Sequence, residues 1–319
     1  MRRALCVGID NYPFGPLHGC VSDAERLAAL LVSHHDGTPN FECRKLIAPI
    51  GGATDVVTRA KLKQAVEQLF RDRAEVALLS FSGHGSENNL GGYLVTQDAR
   101  TYDEGLAMVD VLKLANESRV EEVVVLLDCC HSGNMGSVPA IGNDAAMLRE
   151  GVSILTASRG DQQSVEVGGG GLFTSLVIDA LQGGAADVLG EVTAPAIYSA
   201  VEAALGAWDQ RPLFKSHVSK VIALRNCEPP IAMETLRALP ALFPLPAEDL
   251  MLSPEYEESH AQRDDAKVAV FRKLQDLNRV HLVIPIDTKH MYDAAIQSKG
   301  CRLTPAGRYY WRLASTGRV

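Results

Sequence analysis

No stretch of this 319-residue chain approaches the ~20 consecutive apolar residues that a helix needs to cross a bilayer. None of its seven cysteines stands in a Cys-x-x-Cys spacing, and two are adjacent. Neither a disulfide framework nor a structural metal site is indicated, and a reducing cytoplasm is the expected setting. The N-terminus lacks the apolar core of a secretory signal: Ala4-Leu5-Cys6-Val7-Gly8-Ile9 meets Asp10 too soon and reads as a first strand. There is no internal repeat, no low-complexity tract and no dense Lys/Arg block. What is present is ordinary for a globular protein, with 46% apolar and 22% charged residues, and enough length for one large core plus a small second domain. The net charge of −8 is uneven. Residues 1–230 hold 19 basic and 28 acidic residues, whereas residues 266–319 hold 10 and 3. An acidic first part weakly favours basic substrates, and a basic tail permits an anionic partner such as DNA.

Up to about residue 226, strand-like and helix-like segments alternate. Apolar runs at Ala4–Ile9, Phe41–Ile47, Val76–Phe81, Val123–Leu127, Val152–Ala157 and Val218–Leu224 predict six strands. Helical patterns lie between them at Val21–Leu31, Val56–Phe70, Leu106–Glu117, Leu172–Leu181 and Ala194–Leu205. The alternation predicts an α/β domain, a mostly parallel sheet with helices on both faces. Ser22 and Glu25 form a capping-box pattern at the first helix. Six prolines between Glu228 and Pro254 suggest a semi-rigid connector. Beyond it, Asp265–Leu277 and His290–Gln297 read as helices and His281–Pro285 as a short strand. The expected organisation is a domain over 1–227, a Pro-rich linker over 228–260 and a small module over 261–319.

The chemistry sits after two of the buried strands. Val76–Phe81 runs into Ser82-Gly83-His84-Gly85, and Val123–Leu127 into Asp128-Cys129-Cys130-His131-Ser132-Gly133. Polar residues at the ends of parallel strands lie at the sheet edge where α/β enzymes keep their sites. A thiol and an imidazole brought there are the parts of a cysteine–histidine nucleophile pair. Strand alternation puts Cys129 and Cys130 on opposite faces, with Cys129 packing in the core.

Both motifs resemble those of the caspase-like cysteine peptidases, and within them the metacaspases and their prokaryotic relatives, whose cysteine segment reads D-[SC]-C-H-S-G. Further echoes are Val7-Gly8-Ile9-Asp10-Asn11-Tyr12, Leu17-His18-Gly19-Cys20-Val21-Ser22-Asp23-Ala24, Thr156-Ala157-Ser158 and Gly171-Leu172-Phe173-Thr174, so the resemblance spans about residues 4–225. It implies a caspase-like six-stranded sheet, Cys130 as nucleophile and His84 as base. It also implies an oxyanion hole made by the N–H groups of Gly85 and Cys130. Metacaspases cut after Arg or Lys, and the positions matching their specificity pocket here are Asp23, Asp128 and Ser82. The implied activity is that of an endopeptidase acting on proteins with exposed Arg or Lys, of the kind bacteria use in stress or defence. No cofactor is required. Calcium activates many relatives, but Asp98, Asp103, Glu104 and Asp110 match no calcium loop residue by residue. In the segment 134–151 Arg149 is the single basic residue, so self-cleavage is expected there.

Near the C-terminus, Leu303-Thr304-Pro305-Ala306-Gly307-Arg308-Tyr309-Tyr310-Trp311-Arg312-Leu313 resembles the closing part of bacterial winged-helix modules. That implies a regulatory partner, protein or DNA. The competing reading is a catalytically silent caspase-like scaffold carrying a DNA- or protein-binding tail.

Overall fold

The computed structural model describes residues 1–52, 56–88, 91–101, 103–129, 147–157, 166–167, 170–205 and 212–319. The chain divides into two compact units, Met1–Ala186 with Gly190–Glu228 and Asp187–Leu189 with Pro229–Val319.

The first unit opens with β1 (Arg2–Ile9), α1 (Cys20–Leu31), β2 (Glu42–Ala48), α2 (Arg59–Phe70) and β3 (Val76–Ser82). A small antiparallel sheet follows, made of β4 (Gly85–Asn88), β5 (Gly91–Arg100) and β6 (Asp103–Ala107). Then come α3 (Met108–Glu117), β7 (Glu122–Asp128), β8 (Val152–Thr156), β9 (Glu166–Val167), β10 (Gly170–Gly171) and α4 (Leu172–Asp179). The unit closes with β11 (Glu191–Val192), α5 (Ala194–Leu205), β12 (Leu213–His217) and β13 (Arg225–Asn226).

The main sheet has six strands in the order β12-β8-β7-β3-β1-β2, all parallel except β12. β3 and β7 are buried along their whole length, which is why they read as continuous apolar runs. Alternate residues feed two cores. Leu79, Phe81, Val125 and Leu127 pack with Leu62 and Val66 of α2 and Val111 of α3. Leu78, Val124 and Leu126 pack with Leu27 of α1, Val177 of α4 and Ile197 of α5.

Three expectations are corrected. The sixth strand lies at Leu213–His217, not Val218–Leu224. It is a half-exposed edge strand of mixed polarity, so it has no continuous apolar run to announce it. Ser22 and Glu25 do not cap α1, which begins at Cys20 after Gly19 and has no side-chain cap of its own. Instead Asp10 Oδ1, from the end of β1, accepts from the Cys20 N–H at 2.8 Å. Residues 228–260 are more than a connector. They carry α6 (Met233–Arg237), α7 (Leu239–Leu242) and β14 (Leu250–Met251), and they place Leu236, Leu239, Phe243 and Leu252 in the core of the second unit. Proline sits there at helix starts and turns, where its missing N–H costs nothing.

The rest of the second unit is α8 (Asp265–Arg279), β15 (Val283–Pro285), α9 (Met291–Ile296), β16 (Gly300–Leu303) and α10 (Pro305–Ser315). Its sheet is antiparallel in the order β14-β16-β15. Thr304 caps α10 by accepting from the Gly307 N–H at 3.0 Å, and the Trp311 indole N–H donates to the Phe243 carbonyl at 2.8 Å.

Candidate active site

Ser82 ends β3, Asp128 ends β7, and the two are paired in register. The chains leaving both strands therefore start side by side at one edge of the sheet. The Gly83 N–H donates to the Asp128 carbonyl at 3.3 Å, and a side chain at Gly83 would collide with the Tyr12 hydroxyl and the Phe81 ring. Glycine is needed here so that the turn can hug the strand end.

His84 follows, half-buried and fixed from several sides. Its backbone N–H donates to Tyr12 Oη at 3.1 Å, and Tyr12 donates in turn to the Val95 carbonyl at 3.0 Å. The Val95 N–H returns a bond to the His84 carbonyl at 3.0 Å. The imidazole leans on Tyr12, with ring centroids 4.6 Å apart, and on Phe14 at 6.0 Å. Its Nε2 lies 2.7 Å from the Gly15 carbonyl oxygen. A carbonyl only accepts, so Nε2 carries the hydrogen, and Nδ1 of the neutral ring holds the lone pair. Burial pushes the Tyr12 hydroxyl well above its ordinary pKa, so it remains a neutral clamp. Gly85 begins β4 immediately after the histidine.

Asp23 and Asp128 lie together on the α1/α4 side of the sheet edge and are almost fully buried, at 1% and 6% exposure. Asp23 Oδ2 accepts from Ser82 Oγ at 3.2 Å and from the Gly171 N–H at 2.8 Å, while Oδ1 takes the Arg26 guanidinium at 2.6 Å. Asp128 Oδ2 accepts from both the backbone N–H (3.1 Å) and the hydroxyl (2.8 Å) of Thr174, in the first turn of α4. A Cβ on Gly171 would strike the Asp128 carboxylate and come within 3.1 Å of Asp23 Oδ2, so one glycine backbone touches both acids. Burial raises the pKa of Asp23, and the Gly171 N–H, Arg26 and Ser82 pull it back. The nearby Cys20 thiol is pushed up by burial, which keeps it protonated and inert.

Four of the predicted residues, His84, Asp23, Asp128 and Ser82, thus share one sheet edge, with Gly85 beside the histidine. Cys130 lies outside the described residues, as does His131. Cys129 is 1% exposed and packs in the same core as Phe81 and Leu127. Arg149 is elsewhere. Its guanidinium donates to the carbonyls of Ala115 (3.1 Å) and Val120 (2.7 Å) and to Ser118 Oγ (2.9 Å), closing the C-terminal end of α3.

The four acids considered for calcium are engaged or apart. Asp98 accepts from the Arg59 N–H and Thr96 Oγ1, Asp103 pairs with Arg59, and Glu104 accepts from Ser86 and Asn88. Asp110 stands in the first turn of α3. Among the described residues no cluster of His, Cys, Asp and Glu is arranged to hold a metal ion, and no helix is long and apolar enough to cross a membrane.

The sequence reading missed Tyr12, Gly15, Arg26 and Thr174. Tyr12 and Thr174 lie inside segments that carry the resemblance, and Arg26 stands one helical turn after Asp23. Gly15 acts through its carbonyl, which has no sequence signature.

Residues 1–222 match the caspase-domain peptidase family. The chain belongs to that family. Over 170 residues it is 28% identical to metacaspase-3 of Trypanosoma cruzi, a stretch covering 47% of this chain and 46% of the relative. It therefore spans about half the length of that relative. Among solved structures, protein GSU0716 from Geobacter sulfurreducens superposes with a TM-score of 0.51 at 18% identity, covering 69% of this chain and 95% of that one. Caspase-1 from Spodoptera frugiperda superposes at 0.49 and 10% identity, covering 71% and 90%.

Proposed function

We propose that this caspase-family member is a cysteine endopeptidase that cuts after Arg or Lys, with Cys130 as nucleophile and His84 as general base. The observation that carries the reading is the buried Asp23–Ser82–Asp128 cluster two residues from His84. Two nearly inaccessible carboxylates stand together here with a resident cation, Arg26 on Asp23, so a guanidinium or ammonium from a substrate would compensate the second charge, and a planar guanidinium suits paired carboxylates.

In this mechanism His84 Nδ1 takes the thiol proton of Cys130, and the thiolate sulfur attacks the carbonyl carbon following the Arg side chain. The Gly85 and Cys130 N–H groups hold the oxyanion. As the C–N bond breaks, the imidazolium returns its proton to the leaving amine, and water then hydrolyses the thioester. The bond from Nε2 to the Gly15 carbonyl supports this assignment, because it leaves Nδ1 free to accept a proton. We place the enzyme in the cytoplasm, acting on proteins with exposed Arg or Lys as a regulated stress or defence effector. The C-terminal unit, in our reading a winged-helix-like module, recruits a partner or regulates the first. Lys267, Arg272, Lys273, Arg279 and Arg302 there are paired with Glu255, Glu258, Glu234, Asp276 and Asp249, which favours a protein partner over DNA.

The test is a coumarin-amide series ending in Arg, Lys, Asp or Leu, with purified wild type, Cys130→Ala, His84→Ala and Cys129→Ala. Turnover after Arg, lost in the first two variants and largely kept in the third, is expected. Efficient cutting after Asp, or activity that survives Cys130→Ala, overturns the reading.

A further inference from the structure

The sheet edge carries, besides the acidic cluster, a cavity that the cluster does not border. A cavity of about 650 Å³ has His84, Gly85, Phe14, Val95, Ala99 and Glu104 in its lining. None of Asp23, Ser82 or Asp128 borders it. The acidic cluster and the cavity lie on opposite faces of the sheet. Ser82 and Asp128 follow the alternation of Leu78 and Leu126, which point toward α1 and α4. Val95 and Ala99 pack with Phe81 and Leu127, on the side of α2 and α3. His84 and Gly85 stand between the two.

We propose that this cavity is the subsite for the residue that follows the cut bond, and that it takes a large apolar side chain. The inference rests on the peptidase reading, because it needs a peptide running over His84 with its cationic residue at the acidic cluster. The next side chain of an extended peptide then turns to the opposite face. It arrives beside the same histidine that must protonate its amine. Phe14 is 56% exposed with its ring 6.0 Å from that of His84, and with Val95 and Ala99 it offers the apolar part of the wall. The carboxylate of Glu104 is already taken by Ser86 Oγ and, at 3.4 Å, by Asn88 Nδ2, so it is satisfied without a cationic ligand. Arg100 also lines the cavity and marks the one competing preference, an acidic side chain.

The experiment uses the full-length enzyme and internally quenched peptides that differ only in the residue after Arg: Phe, Leu, Gly or Asp. An Arg coumarin amide, which has no residue there, is run alongside. The expected result is a kcat/KM for Arg-Phe and Arg-Leu at least about ten-fold above Arg-Gly, the usual consequence of burying a large apolar side chain. Ala99→Trp, which fills the wall, is expected to collapse that ratio toward one. Equal rates for all four peptides, or a preference for Asp, overturn the subsite while cleavage of the coumarin amide leaves the peptidase reading standing. No cleavage of any substrate overturns both. Should Ala99→Trp not fold, the wild-type profile alone decides.

Discussion

Asp23 is held by donors of three kinds: a hydroxyl from β3, a backbone N–H from β10 and the guanidinium of Arg26. Burial raises its pKa and Arg26 opposes the rise, with Asp128 and the neutral Cys20 thiol as the other ionisable neighbours. Below that pKa the carboxyl is neutral and no longer attracts a cation. The acid limb of kcat/KM for Arg substrates should therefore lie above the range of an exposed aspartate. Arg26→Gln removes an opposing charge and should move the limb further toward neutral pH, while Arg26→Lys should restore it. A pH–rate profile that is identical in all three enzymes shows that Asp23 is not the titrating group. Tyr12→Phe is the second residue-scale case. It strips the acceptor from the His84 N–H and the donor from the Val95 carbonyl, both at the base of the site. A loss of about 1–3 kcal/mol in urea unfolding is expected, together with a fall in kcat larger than any change in KM. His84 is legible in its motif, and Asp23 and Asp128 through the positions the family resemblance matches. Gly15 contributes only a carbonyl, which any residue type could supply, and the N–H of Gly171 has no side-chain signature even though a Cβ there would strike Asp128.

Among the elements, the strands buried on two faces are legible, as is the edge strand β2 from its Phe41–Ile47 run, but the edge strand β12 is not. β3 and β7 declare themselves by seven-residue runs with no exposed position. β12, and the β4–β6 sheet that carries Gly85 and lines the cavity, mix polar and apolar residues and match no single period. α1 was placed from its apolar face, but its start was misread because the cap comes from Asp10 in another element. The same lesson applies to Arg149, which looked like an exposed basic residue in a small-residue segment. Its guanidinium instead satisfies carbonyls at the end of α3, and the Asn116 side chain accepts from its backbone N–H at 3.0 Å. Cutting after Arg149 requires this cap to open first, so self-processing should run well below the rate for an unstructured Arg peptide. Asn116→Ala or Ser118→Ala, by weakening the cap, should speed it. Intact-mass spectrometry over time decides. A wild-type chain cut after Arg149 as fast as a free peptide would show that the cap does not protect the bond.

At the level of the whole chain, the two cores of the first unit and the single core of the second are built from largely separate stretches of sequence. The core of the second unit contains Phe271, Leu274 and Leu277 from α8 with Leu236, Leu239 and Phe243 from the proline-rich stretch. Proline density hides that contribution, since it marks a semi-rigid connector when read from sequence alone. In the Leu-Thr-x-x-Gly pattern, Leu303 ends β16, Thr304 caps α10 and Gly307 lies in its first turn. Gly307 is demanded by packing, because a side chain there would run into the Leu282 carbonyl. Such a local device serves many folds, so it could not fix the architecture of the module. Separate cores predict separable stability. Phe271 is 2% exposed, and Phe271→Ala should cost the second unit about 3–5 kcal/mol by leaving a cavity. Phe81→Ala, in the sheet of the first unit, should do the same there. Calorimetry of the full chain is expected to show two transitions, with each variant lowering only its own. If Phe271→Ala lowers both together, the units fold as one cooperative body, and a module that acts only by recruitment gives way to one whose folding is coupled to that of the peptidase domain.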